Sequence, residues 1–95
     1  MEMIAQLPYI KVIRSIEENQ QHYKEEEYMI AFSLEAVWTD GEVFHQHEVL
    51  DMSFRPFSNQ MGLIYLHTIK GLYCYTIKEN PKMFIEAFKQ LKSAL

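Results

Sequence analysis

The sequence predicts an α+β domain, a curved antiparallel sheet or partly open β-barrel with one C-terminal capping helix, on three observations. Tyr28 to Trp38 alternates in character, Leu63 to Ile77 reads as a hairpin folded about Lys70 and Gly71, and Asn80-Pro81 opens an amphipathic run. Alternation with period two buries one face of a strand, whereas apolar residues recurring at three and four form a helical stripe. In the first stretch the even positions, Tyr28, Ile30, Phe32, Leu34, Ala36 and Trp38, make the core face of one long strand.

The helix has a well-specified start, because Asn80 is a favoured N-cap and Pro81 at the first helical position has no N–H to leave unpaired. Phe84, Ile85, Phe88, Leu91 and Leu95 then form one apolar stripe, with Lys82, Glu86, Lys89, Gln90 and Lys92 on the other side. Late lysines suit the negative end of the helix dipole. Burying four such apolar side chains is worth roughly 1.5 to 3 kcal/mol each, more than intrinsic propensity supplies in so short a helix. The helix therefore docks on the sheet.

Ahead of these elements, Ile4 to Ile16 fits neither period cleanly, and Tyr9 to Ile16 is expected to be a strand. Glu17 to Glu27, reading EENQQHYKEEE, is expected to be a solvated loop or frayed turn. Asp40-Gly41 marks the turn into Val43 to Phe54. A two-residue loop would set Trp38 opposite Val43 and place His45 and His47 on the face of Leu34 and Phe32. A three-residue loop, Asp40 to Glu42, instead pairs Trp38 with Phe44, Phe32 with Leu50, Ile30 with Met52 and Tyr28 with Phe54, and is preferred. It leaves Gln46 and Glu48 on the inner face, which calls for a bend or bulge there. Arg55 to Gln60 forms the next connection, with Pro56 ending the strand. A Lys70-Gly71 loop places Leu66 opposite Tyr75 and Ile64 opposite Ile77 on one face, and His67 opposite Cys74 on the other. A slightly longer loop would spare Lys70 a positive φ.

The chain has 95 residues, 48% hydrophobic and 14% aromatic, enough for one domain over residues 1–95. A net charge of -4 gives no general electrostatic reason to bind nucleic acid or anionic lipid. Cys74 is the only cysteine, which excludes an internal disulfide. The opening MEMIAQLPYIKVIRSI lacks the basic-then-apolar build of a signal peptide, and no apolar run is long enough to span a bilayer. A cytoplasmic location is the expectation.

The run DMSFRPFS at Asp51 to Ser58, followed by GLIYLHTIKGLYCYTIKENPKMFIEAFKQL, resembles the C-terminal half of bacterial pleckstrin-homology-like domains, over about Tyr28 to Leu91. The resemblance implies a partly open seven-stranded barrel plugged at one end by the helix, serving as a binding platform without catalytic activity. Only 27 residues precede Tyr28, so seven strands require the Glu42 to Arg55 run to split. Members that bind phosphoinositides need clustered Lys and Arg where this chain has EENQQHYKEEE, so lipid recognition does not carry over.

Among chemistry-bearing residues, His45 and His47 have the HxH spacing by which two imidazoles on one strand face reach a metal ion, and a third ligand would have to come from His67 or Cys74. Solvent-facing polar residues are the plainer reading. His67 opposite Cys74 could suggest a base and thiolate, but the sequence offers no oxyanion donor or orienting group. The carboxylates Glu25, Glu26, Glu27, Glu35, Glu48 and Asp51 are too many to single out a pair, and only Glu48 is expected to be buried. Tyr65, Tyr73, Tyr75 and Trp38 lack the interleaved cations of a nucleic-acid stacking platform. The expectation is a non-catalytic binding or protein-interaction domain without cofactor, whose partner is an unknown protein or small ligand, with no nucleic acid and no stable membrane association. The rival classes are a metal-dependent protein or enzyme using His45, His47, His67 and Cys74, and a self-association module, a homodimer, joined through a sheet edge.

Overall fold

The computed structural model describes residues 3–58 and 61–94 of the chain. Seven strands, β1 (Ala5–Glu17), β2 (Gln20–Phe32), β3 (Ala36–Trp38), β4 (Val43–His45), β5 (Val49–Pro56), β6 (Gly62–Thr68) and β7 (Gly71–Ile77), precede one helix, α1 (Lys82–Ala94). They form a single antiparallel sheet in the order β4-β3-β2-β1-β7-β6-β5, open between β4 and β5 and not closed into a barrel. The fold is α+β, as expected. Phe44 on β4 packs edge-on against Tyr73 on β7 with ring centroids 5.1 Å apart. Four strand spacings of a flat sheet would put those strands about 19 Å apart. The sheet therefore curls, and its inner face gathers Leu7, Tyr9, Ile30, Phe32, Val37, Phe44, Met52, Ile64, Leu66 and Ile77 around Phe84 and Phe88 of the helix.

The polar run expected to be a loop is instead one side of a long hairpin. β1 and β2 pair residue for residue from Ala5↔Phe32 to Glu17↔Gln20, and the chain reverses at Glu18 and Asn19 with φ of 52° and 65°. Two consecutive positive φ values match the right-handed twist of a hairpin. Of the acidic residues, Glu27 and Glu25 oppose Ile10 and Val12 while Glu26 opposes Lys11, and Lys11 lies over the Tyr28 ring and Arg14 over the Tyr23 ring. The distal part projects from the body as a ribbon, and the molecule measures 54 × 28 × 24 Å.

Tyr28 to Trp38 is not one strand. It breaks at Ser33, whose hydroxyl accepts hydrogen bonds from the backbone N–H groups of Glu35 and Ala36 at 3.2 and 3.3 Å, a side-chain competitor to the ladder. The break reverses the phase, so Leu34 is 61% exposed while Val37 is fully buried. The following hairpin corrects the preferred register, because Trp38 faces Val43, Val37 faces Phe44 and Ala36 faces His45. Thr39 N–H donates to Glu42 O at 2.9 Å around Asp40-Gly41, and Gly41 takes φ 96°. With the phase already reversed, this two-residue loop is the one that turns Phe44 inward.

A turn of 3₁₀ helix at Gln46–Glu48 splits the next run into β4 and β5, which supplies the expected bend. Gln46 and Glu48 are buried: Gln46 Nε2 donates to Ser33 O at 2.7 Å, and Glu48 accepts from His45 N–H at 2.8 Å. β5 crosses to β6 rather than returning along β2, so the expected partners Phe32–Leu50, Ile30–Met52 and Tyr28–Phe54 do not form. Met52 faces Leu66, and Leu50 sits exposed at a bulge.

In the second hairpin the turn residues are Ile69 and Lys70, with Gly71 after them at φ 130°. Lys70 thus avoids the positive φ. Thr68 holds the turn, its hydroxyl donating to Gly71 O at 2.8 Å and accepting from Lys70 N–H at 3.1 Å. The register is two residues from expectation, pairing Leu66 with Tyr73 and Ile64 with Tyr75, and an even slip keeps every side chain on its expected face. His67 consequently faces Leu72, and Cys74 faces Tyr65.

α1 starts as expected, with Asn80 Oδ1 accepting from Lys82 N–H at 2.9 Å. Phe84 and Phe88 meet the Phe32 ring edge-on at 5.2 and 5.7 Å, and Ile85 and Leu91 are half-buried. Leu95 at the end of the stripe, and Asn59 and Gln60 in the connection after Pro56, lie outside the described residues. At the other end of the helix Lys92 donates to the Gln46 carbonyl, and burial lowers its pKa.

Candidate functional site

β5 is the last strand of the sheet, paired with β6 on one side and open on the other. The first turns of α1 cover the inner face beside it. Between them runs a groove of about 430 Å³ lined by Phe54 from β5 and by Asn80, Pro81, Lys82, Ile85, Glu86 and Lys89. Phe54, Pro81 and Ile85 supply apolar walls, and Lys82 and Lys89 give the helical rim two cations against the one anion of Glu86. The Phe54 ring lies where it does because Gly62, beside it on β6, has no side chain. A Cβ there would meet Arg55 O at 2.8 Å and Phe54 Cζ at 2.9 Å.

The histidines and cysteine singled out in the sequence are not brought together. His45 and His47 are exposed and stack on each other, with centroids 5.7 Å apart and planes 11° apart. They sit where β4 gives way to the 3₁₀ turn, whereas His67 and the exposed Cys74 lie on β6 and β7. Among the described residues no group of three or more His, Cys, Asp or Glu side chains is placed to hold a metal ion. His67 has a different neighbour, Ser53 of β5, with Nε2 2.8 Å from Oγ. Asp51 is directly across from His67 in the ladder.

Glu48 is the buried carboxylate the sequence pointed to. Its pKa is lowered, first by the hydrogen bond from His45 N–H, then by the Lys70 ammonium 3.6 Å away, against the opposing effect of burial. Glu25 pairs with Lys78 at 2.7 Å and Glu26 accepts from the Tyr28 hydroxyl at 3.1 Å, so neither forms an acid–base pair with a neighbouring carboxylate. The tyrosines divide between faces: Tyr73 and Tyr75 pack inward against Phe44 and Tyr9, and Tyr65 lies outward near His67. Thr39 and Tyr75 share a hydrogen bond of 3.5 Å, and burial raises the Tyr75 pKa.

The groove itself was missed in the sequence. Its one signal was Gly62, a glycine at a strand start with no turn to explain it. Among the described residues no helix is long and apolar enough to cross a membrane. Compared with known proteins, the chain matches no family model, no curated protein and no solved structure.

Proposed function

We propose that this chain is a non-catalytic protein-interaction domain of the bacterial pleckstrin-homology-like kind, which takes an extended peptide segment of a partner protein along β5. The observation that carries the reading is the groove between Phe54 on the open edge strand and Pro81 and Ile85 of the helix. An extended peptide adds a strand to an open edge through main-chain hydrogen bonds and gains selectivity from the pocket beside it. Here that pocket accepts one aliphatic or aromatic side chain, and Lys82 and Lys89 favour a carboxylate next to it. The reading takes the seven strands and the one packed helix as the elements that the resemblance implies. The exposed free thiol of Cys74 suits the reducing cytoplasm, where we place the protein.

The test is selection of peptides from a displayed random library, followed by titration into ¹⁵N-labelled protein. The selected peptides should carry an apolar anchor beside an acid, shift the amides of Met52 to Arg55 and of Ile85, and slow exchange along the free edge of β5. Lys89→Glu, at an exposed position, should weaken binding about tenfold, the equivalent of ~1.4 kcal/mol. Peptides that bind while leaving those resonances unmoved would refute the reading.

A further inference from the structure

The distal part of the β1–β2 hairpin has no layer over either face. Every residue from Lys11 to Glu25 is exposed, Val12 at 60% and Ile16 at 69%. β1 meets β7 at the single pair Ile10↔Thr76, so beyond Ile10 its outer edge is unpaired over Lys11 to Glu17. A two-stranded ribbon is marginal in water by itself, and an open edge is a template for another strand. Lys78 and Asp40 steady only its base, through Glu25 and Lys11.

We infer that this arm joins two copies of the chain, β1 against β1 in antiparallel register, about a twofold axis through Arg14. Residues opposite one another in antiparallel strands point to the same side, so only even slips keep inner and outer faces matched. The register centred on Arg14 overlaps the whole free edge with itself. On the inner side Lys11 meets Glu17 of the other copy, and on the outer side Val12 meets Ile16, each contact made twice by symmetry. The Arg14 guanidinium of each copy is drawn over its own Tyr23 ring, 5.6 Å from the centroid, which separates the two charges at the axis. A slip of two residues one way carries the second copy's Ile16 to the place Thr76 already holds beside Ile10. A slip the other way sets Val12 and Ile13 against Glu18 and Glu17. The remaining edge of the ribbon, on β2, carries Glu25, Glu26 and Glu27, and like charges across a new ladder repel. One edge associates and the other is guarded, so the assembly closes at two. This pairing does not rest on the peptide groove, which lies on β5 at the end of the sheet, three strands from β1.

Sedimentation equilibrium of the native chain should give twice the 11.4 kDa of one copy. Val12→Glu with Ile16→Glu, both exposed, should halve that mass while the circular dichroism spectrum stays unchanged. With Cys74→Ser as background, Arg14→Cys should form an interchain disulfide under oxidised glutathione, and Lys24→Cys on the other strand of the ribbon should not. A native mass of one copy, or faster cross-linking at Lys24→Cys than at Arg14→Cys, would overturn the pairing.

Discussion

Gly62 lies against the Phe54 ring in a space that a single methyl group would fill. Gly62→Ala should cost about 1 to 3 kcal/mol of stability through that overlap, readable by urea unfolding, and should displace the ring that walls the groove. Glu48 carries a second residue-scale consequence. Its folded pKa is depressed, so the stability it contributes is present above the ordinary glutamate range and is lost as pH falls through the folded value. Glu48→Gln keeps an acceptor for His45 N–H but removes the titration, so the fall in melting temperature with acid should be shallower in the variant. Equal slopes would place the acid sensitivity elsewhere. That Glu48 is buried could be inferred from its inward position. That it stays charged could not, because the stabilising donor is the backbone of His45, and backbone geometry at a 3₁₀ turn leaves no mark in side-chain periodicity.

At the scale of elements, legibility followed packing. α1 was readable to within a residue of its start, since cap chemistry and an apolar stripe act locally and agree. Phe88, fully buried against Phe32, ties that stripe to the sheet, so Phe88→Ala should cost about 3 to 5 kcal/mol in chemical denaturation. The faces of β6 and β7 were readable as well, although Thr68 moved the turn by one residue. β1 and β2 were only half legible. Beyond Ile10 both faces meet solvent, so nothing selects apolar over polar residues with period two, and EENQQHYKEEE carries no strand signal. The break at Ser33 was hidden for the opposite reason, because Leu34 continues an alternation that the backbone abandons. One hydroxyl accepting two N–H groups outweighed one leucine.

For the whole molecule, the class and the closing order of hairpin then helix could be read, but the division of the chain into strands ahead of them and the strand order could not. The sequence placed Phe44, Leu50 and Met52 on one run, and the chain spends its buried Gln46 and Glu48 on leaving β4 and starting the far edge of the sheet. The net charge of -4 and the acidic strand of the arm also set an expectation at this scale. Anionic vesicles at physiological salt should leave the protein in the supernatant on co-sedimentation. Binding that disappears with Lys11→Ala and Arg14→Ala would show that these two of the arm's cations act against that charge.

The single pair Ile10↔Thr76 is the seam between two halves of the sheet. Residues 5–45 form one meander, and residues 49–77 with the helix form the other, each built from neighbours in sequence, whereas this seam joins positions sixty-six apart. Closing a long loop costs entropy before its contacts repay it, so local hairpins form early and the seam late. Kinetics should divide along the same line. Truncating Leu66 within the β6–β7 hairpin should slow refolding, while truncating Tyr75, whose ring meets Tyr9 across the seam at 4.8 Å, should chiefly speed unfolding. A chevron in which both substitutions slow refolding alike would mean that the seam belongs to the nucleus. The late seam is also the first to release, so on dilution into denaturant the molecule should part between β1 and β7 while its hairpins persist.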